Sequence, residues 1–258
     1  MAFVAAQGMR CVALTDHDTV AGIAEAVPAA QDLGLSFVPG IELSSQWLGR
    51  GIHILGLNID VDCEALKHAI EVRAQMRATR FAQILTRLAR AGVVFNDPTR
   101  WQALAVPTRT HLAAALVAEG HCASVNVAFK QYLGERGVAY VPTHWPDLAS
   151  SIASIRAAGG MAVLAHPLRY TCSAGQRRQL LKEFITHGGV GMEAVCGGMG
   201  VKALEQAQSL ALRFGLKVTR GSDCHNPQLP WQQPARLAKL HPSLTPLWAQ
   251  LDANRALA

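Results

Sequence analysis

Short apolar runs that stop at a metal-competent side chain recur along this chain, and no other feature constrains its fold as much. Val12-Ala13-Leu14 runs into Thr15-Asp16-His17-Asp18, and Leu35 to Val38 runs into Pro39-Gly40-Ile41-Glu42-Leu43. Met161 to Ala165 stops at His166-Pro167. Gly191 to Val195 carries Glu193, and Lys217 to Thr219 leads into Gly221-Ser222-Asp223-Cys224-His225. Runs of this length between polar or turn residues read as buried strands. The segments between them read as helices: Thr19 to Leu33 closed by Gly34, Leu148 to Ala158 closed by Gly159-Gly160, then Gln176 to His187 and Lys202 to Phe214. Met1 to Gly8 reads as the tail of a helix, and Leu244 to Asn254 as a last one. Leu43 to Leu48, a turn at Gly49-Arg50-Gly51, and Ile52 to Leu57 read as a hairpin. Strands alternating with helices predict an α/β fold, whose chemistry collects at the C-terminal ends of parallel strands.

The rhythm breaks near Val61 and resumes after Trp145. From Glu64 to Ala91, the residues Ile70, Ala74, Ala78, Phe81, Leu85 and Leu88 recur at helical spacing. Two more helices are expected near Thr110–Glu119 and Ser124–Leu133. The predicted division is an α/β domain of residues 1–60 and 146–258, with a helical insertion at 61–145. Arg73, Arg77, Arg80 and Arg87 run beside the long helix's apolar stripe. Such a stripe is either a solvated face or a guide for an RNA backbone.

With 258 residues, half of them hydrophobic, the chain can form one large α/β domain with an insertion. The net charge of +6 and the pI near 9.2 favour acidic partners such as nucleotides or RNA. Cys11, Cys63, Cys122, Cys172, Cys196 and Cys224 include no C-x-x-C pair, so they read as reduced thiols of a cytoplasmic protein. Met1 to Ala6 lacks the charged flank and the length of a signal peptide. No run reaches the roughly 18 apolar residues of a membrane span.

The candidate site is therefore His17, Glu42, His166, Asp223 and His225, with His53 inside a strand beside them. All offer nitrogen or oxygen, a donor set suited to Mn, Zn or Fe(II) rather than to a structural cysteine-type zinc site. Taken singly, each has an ordinary reading. His53 suits a core histidine, Asp16 and Asp18 suit helix N-caps, and Asp223 suits a turn. We read Asp18 as a cap. A donor at nearly every strand end favours metal binding for the set.

Thr15-Asp16-His17-Asp18, Gly40-Ile41-Glu42-Leu43, His53-Ile54-Leu55-Gly56, Ala165-His166-Pro167 and Gly221-Ser222-Asp223-x-His225 resemble the ordered motifs of the PHP (polymerase and histidinol phosphatase) family. Gly56-Leu57-Asn58-Ile59-Asp60, Arg109-Thr110-His111, Phe129-Lys130-x-Tyr132-Leu133, Tyr140-Val141-Pro142 and His166-Pro167-x-Arg169-Tyr170 are similar to its bacterial branch of ribonuclease AM and the 3′,5′-nucleoside bisphosphate phosphatases. The resemblance covers nearly the whole chain. It implies a distorted seven-stranded β/α barrel and metal-dependent phosphoester hydrolysis on nucleotide or RNA ends, without DNA specificity. The leading activity is 5′→3′ exoribonuclease, and the alternative is a 3′-phosphatase of 3′,5′-bisphosphonucleotides. It also implies up to three divalent ions, manganese foremost with zinc or iron as alternatives. Glu42 would bridge the first and second ions, with His53 and His166 on the second. Asp223 would serve the first ion, and His17 and His225 the third. Arg109, Arg169 and His111 are the candidates for gripping phosphate, and Glu193 for a position behind a ligand. The nucleophile would be a metal-activated hydroxide, with no Ser or Cys needed.

The chain departs from the family at its beginning. The family's opening strand, with a His-x-His motif and a following Ser-Asp-Gly turn, has no counterpart before Thr15. The chain is expected to lack that first strand and three ligands, through a misassigned or truncated start. A non-catalytic remnant that still binds nucleotides is the third reading.

Overall fold

A computed structural model describes residues 1–104, 106–225 and 229–250. Its internal packing divides the chain into two compact units, Met1–Ile70 with Pro146–Ala258, and Glu71–Trp145.

The first unit is a curled six-stranded sheet whose strands lie in chain order. They are β1 (Cys11–Leu14), β2 (Ser36–Trp47), β3 (Arg50–Leu57), β4 (Met161–Leu164), β5 (Gly191–Cys196) and β6 (Lys217–Gly221). The helices of this unit are α1 (Ala2–Ala6), α2 (Ile23–Gln31), the start of α3 (Glu64–Arg90), α6 (Leu148–Ala157), α7 (Ala174–Thr186) and α8 (Val201–Phe214). Ile41, Leu43, Ile54, Leu164 and Met192 meet Ile152, Leu181, Phe184 and Ala207 in the largest buried cluster. Val38, Leu55, Val163 and Ala165 form a smaller one. Among the described residues no helix is long and apolar enough to cross a membrane.

Several local expectations are corrected. The sheet is mixed: β3 runs antiparallel to β2, as the predicted hairpin requires, and also to β4, while β1–β2, β4–β5 and β5–β6 are parallel. The hairpin that reverses β3 is tighter than predicted. Trp47 pairs with Arg50 across a two-residue turn, Leu48 (φ 46°) and Gly49 (φ 72°). Two successive positive φ values give the turn whose twist matches the flanking strands. β2 is one strand of 12 residues rather than two pieces. It continues through Gly40 because that residue has no side chain; a Cβ there would approach the Leu14 carbonyl oxygen to 2.9 Å. β1 alternates exposed and half-buried residues and is not the buried strand expected. It lies at the sheet's edge, and β2 is its one partner among the described residues.

Helix α2 begins at Ile23 behind Gly22, not at Thr19, so Asp18 is not its cap. Asp18 adopts φ 54°, and its buried carboxylate accepts the Ser44 N–H at 2.6 Å. The predicted helix over 244–254 falls partly outside the described residues, and Leu247–Gln250 within it is a 3₁₀ turn.

The second unit is helical, built on the rest of α3 with α4 (Arg109–Ala118), α5 (Val125–Ala128) and a π-helical turn at Phe129–Leu133. Phe81, Ile84, Leu88, Leu112, Leu116 and Leu133 form its core. Much of the arginine stripe of α3 packs against protein here, with Arg87 exposed. Arg73 is 1% exposed, and Arg77 lies over the Trp145 ring at 5.0 Å. Arg80 Nε donates to the Val141 carbonyl at 3.0 Å, and Arg87 donates to that of Tyr140.

Candidate metal centre

Glu42 sits mid-strand in β2, where the pleat sets its side chain on the same sheet face as Ser44. Ser44 pairs with His53 and Glu42 with Leu55, so Glu42 and His53 are diagonal neighbours on that face. The reversed direction of β3 places His53, near that strand's start, beside the C-terminal end of β4. There Ala165 N–H donates to the His53 carbonyl at 3.1 Å, and His166 follows at once. The loop after β1 keeps pairing with β2. The Glu42 N–H donates to Asp16, and the Asp18 N–H to Glu42, forming an isolated bridge that sets His17 opposite Glu42.

Three donor atoms consequently converge. His53 Nδ1 lies 2.8 Å from Glu42 Oε1, His166 Nε2 lies 3.0 Å from the same oxygen, and the two nitrogens are 3.3 Å apart. Donors that each stand about 2.0–2.2 Å from one ion lie roughly 3–3.5 Å from one another, so the triangle fits a divalent ion. His17 also belongs to the cluster, since donor atoms of His17, Glu42 and His53 all lie within 4.8 Å of each other.

The electrostatics suit the same purpose. Burial alone would raise the Glu42 carboxyl, but the hydrogen bonds from His166 and His53 hold it well below the usual carboxylate range. His166 is lowered by burial, yet its bond to Glu42 brings it above an ordinary histidine. Glu193 lies behind it, accepting the His166 N–H at 2.7 Å. Burial pushes Glu193 up to about 7.

Asp223 and His225 arrive after β6. His225 Nδ1 is 3.3 Å from Asp223 Oδ1, and the His225 ring centroid lies 5.6 Å from that of His17. Arg169 reaches this group directly, pairing with Asp223 and donating to the Gly197 carbonyl at 2.8 Å. His166 (φ 28°) and Asp223 (φ 50°) both carry positive φ, a backbone region costly for residues other than glycine.

Arg109 and His111 belong to the helical unit and have local partners there. Arg109 donates to the Leu133 carbonyl at 3.2 Å and lies over Phe129. The His111 ring closes a capping box with Thr108 at the start of α4.

Tyr170 carries more of the site than its sequence position indicates. Its hydroxyl accepts the His53 N–H at 2.9 Å and donates to the Ala165 carbonyl at 2.8 Å. Its ring stands edge-on to His166 with centroids 5.3 Å apart. One side chain thus fixes the backbone at His53 and at Ala165, the residue before His166. Tyr170→Phe is expected to cost about 1–3 kcal/mol of stability, because it orphans a buried N–H. It should also weaken Mn²⁺ binding. Thermal unfolding and a Mn²⁺ titration would both have to be unchanged to remove Tyr170 from the scaffold of the site.

The chain is 39% identical over 248 residues to a 5′-3′ exoribonuclease of Haemophilus influenzae, spanning 94% of this chain and 89% of that one. It is 34% identical over 253 residues to a 3′,5′-nucleoside bisphosphate phosphatase of Chromobacterium violaceum, spanning 97% and 89%. Among solved structures, an amidohydrolase from Chromobacterium violaceum with bound sulfate and no metal superposes with a TM-score of 0.90 at 33% identity, covering 98% of this chain and 89% of that one. A protein from Bifidobacterium adolescentis described as a metal-dependent phosphoesterase gives 0.76 at 27% identity, covering 96% and 86%. No family model matches the chain.

Proposed function

This chain belongs to the PHP family of metal-dependent phosphoesterases, and from that premise we propose that it hydrolyses phosphoesters at the ends of nucleotides and short RNA. The observation that carries the reading is the triangle of Glu42 Oε1, His53 Nδ1 and His166 Nε2. These three residues would hold one divalent ion, manganese foremost. Asp223 would serve a second ion, shared through Glu42, and His17 with His225 a third. Bound there, the ion supplies Lewis acidity and lowers the pKa of water.

The chain's own groups do the rest. Glu42 stays ionised to face positive charge, and Tyr170 and Glu193 hold His53 and His166 in place. Arg169, fixed between Asp223 and Gly197, presents a guanidinium to a substrate phosphate. Arg109 and His111 are further phosphate-binding candidates on the helical unit. The leading activity is 5′→3′ exoribonuclease, supported by the 39% identity to the Haemophilus influenzae protein. Removal of the 3′-phosphate from 3′,5′-bisphosphonucleotides is the second reading, supported by the Chromobacterium violaceum relative. Six free cysteines suit a reducing compartment, the cytoplasm.

The test is hydrolysis of a short 5′-phosphorylated RNA and of a 3′,5′-bisphosphonucleotide by metal-stripped protein, before and after Mn²⁺ is restored. Mn²⁺-dependent release of mononucleotides from the RNA supports the leading reading, and release of inorganic phosphate from the bisphosphate supports the second. No turnover of either substrate with Mn²⁺, Zn²⁺ or Fe²⁺ would overturn both.

A further inference from the structure

Beside the metal centre, the loop after β5 builds a feature that the hydrolytic chemistry does not use. Gly197 donates to the Gly221 carbonyl at 3.0 Å and accepts from Arg169 at 2.8 Å, so it is tied to the site on both sides. A Cβ on Gly197 would collide with the carbonyls of Ser222 and Trp231. Gly198, at φ 72°, lies beneath the Trp231 indole; a Cβ there would stand 3.5 Å from the ring's Cδ1. The two glycines let the indole lie close over main chain. The turn that carries Trp231 is anchored to the metal centre as well, because the His225 N–H donates to Gln232 Oε1 at 3.0 Å.

Trp231 is nevertheless 55% exposed. A cavity of about 290 Å³ opens beside it, walled by Gly198, Met199, Leu204 and Leu237, with Arg236 at its margin. That is near the lower bound of small-molecule sites and suits one flat heterocycle rather than a whole nucleotide. An exposed indole held in a fixed orientation is a stacking surface, and stacking tolerates any base because every base has a π-face.

We propose that Trp231 is the platform on which the terminal base of the substrate stacks while its phosphate is held at the Glu42–His53–His166 centre. The inference rests on the nucleotide phosphoesterase reading and adds the recognition of the base. It makes Trp231 a binding residue that does not distinguish one base from another.

The test compares AMP with ribose 5-phosphate, which carries the same phosphate and sugar without the base. Equilibrium dissociation constants are measured by calorimetry for the parent, Trp231→Phe and Trp231→Ala, with circular dichroism confirming that each is folded. Trp231→Ala is expected to weaken AMP roughly tenfold, the scale of one base–aromatic stack, and to leave ribose 5-phosphate unchanged. Trp231→Phe, which keeps a ring, should fall between and serves alone if the alanine variant fails to fold. UMP and GMP should lose affinity alongside AMP. Equal weakening of AMP and ribose 5-phosphate, or no weakening of either, would overturn the proposal while leaving the phosphoesterase reading intact. A parent protein that binds neither compound would overturn both.

Discussion

Glu42→Gln is expected to lower Mn²⁺ affinity by at least about a hundredfold and to abolish phosphoester hydrolysis with it. Replacing a group that merely supports a metal ligand costs roughly 10–100-fold, and Glu42 is at the centre of the cluster rather than behind it. Its Oε1 is the vertex shared by His53 and His166, and its Oε2 lies 3.8 Å from His17 Nδ1. An amide matches the carboxylate in size but carries no charge and offers one acceptor instead of two. The imidazoles would then face a neutral group, and two of the three short contacts would lose their ionic part. Glu42 is only 6% exposed, and the amide fills the same volume, so the fold should survive the change. Calorimetric Mn²⁺ titration and a hydrolysis assay on the same preparation check the outcome. Unaltered Mn²⁺ affinity in a folded Glu42→Gln protein would remove Glu42 from the metal centre.

The second large effect is expected at Arg177, a residue outside the metal cluster. Arg177 belongs to the first turns of α7 and is 8% exposed. Its Nε donates to the Pro167 carbonyl at 3.1 Å, and one terminal nitrogen donates to those of Tyr170 (3.5 Å) and Cys172 (3.4 Å). One guanidinium thus pins the whole segment that carries Arg169 and Tyr170 past His166. Arg177→Met keeps the length and apolar stem but leaves three carbonyls without this donor. Hydrogen bonds from a charged group contribute about 1.5–3 kcal/mol each. The two longer contacts are weak, so the expected loss is about 3 kcal/mol, a fall in Tm of roughly 6–12 °C for a chain of this size. Arg177→Lys, able to satisfy one carbonyl, should recover part of it. Because Tyr170 in turn holds His53, hydrolysis should fall even below the unfolding transition. Differential scanning calorimetry gives the answer, and a Tm within a degree of the parent's would show that the clamp holds nothing.

Much of the framework was legible because it is written in local signals. All six strands were readable from short apolar runs, and five of the six candidate donors were proposed from where those runs stop, with His53 proposed from inside one. Pairing was less so. An apolar run reports burial and period, not which strand it pairs with, so the hairpin gave the reversal of β3 against β2 but not its antiparallel pairing with β4. That pairing is what brings His53 to the end of β4. Asp18 misled for a related reason. An acidic residue ahead of an alanine-rich segment has the local signature of an N-cap, but its partner is Ser44, 26 residues away. Arg177 was missed because arginine on a helix normally reads as solvent-facing, and no local pattern reveals carbonyls turned toward it. The hydroxyl of Tyr170 likewise finds one of its partners across 117 residues at His53.

The positive φ values of His166 and Asp223 bear on how such a protein responds to selection. Each position holds its side chain on backbone that glycine adopts freely and histidine adopts reluctantly, at a cost on the order of 1–3 kcal/mol. In a library screened only for heat resistance, with no ion supplied, relief of that cost offsets part of the bonds to Glu42 and Arg169 that His166→Gly and Asp223→Gly give up, so both variants should be tolerated there. The same library screened in the presence of Mn²⁺ would discard them, because the ion rewards the strained form through binding. The two screens would diverge at these positions while agreeing on ordinary core sites such as Ile54 or Phe184.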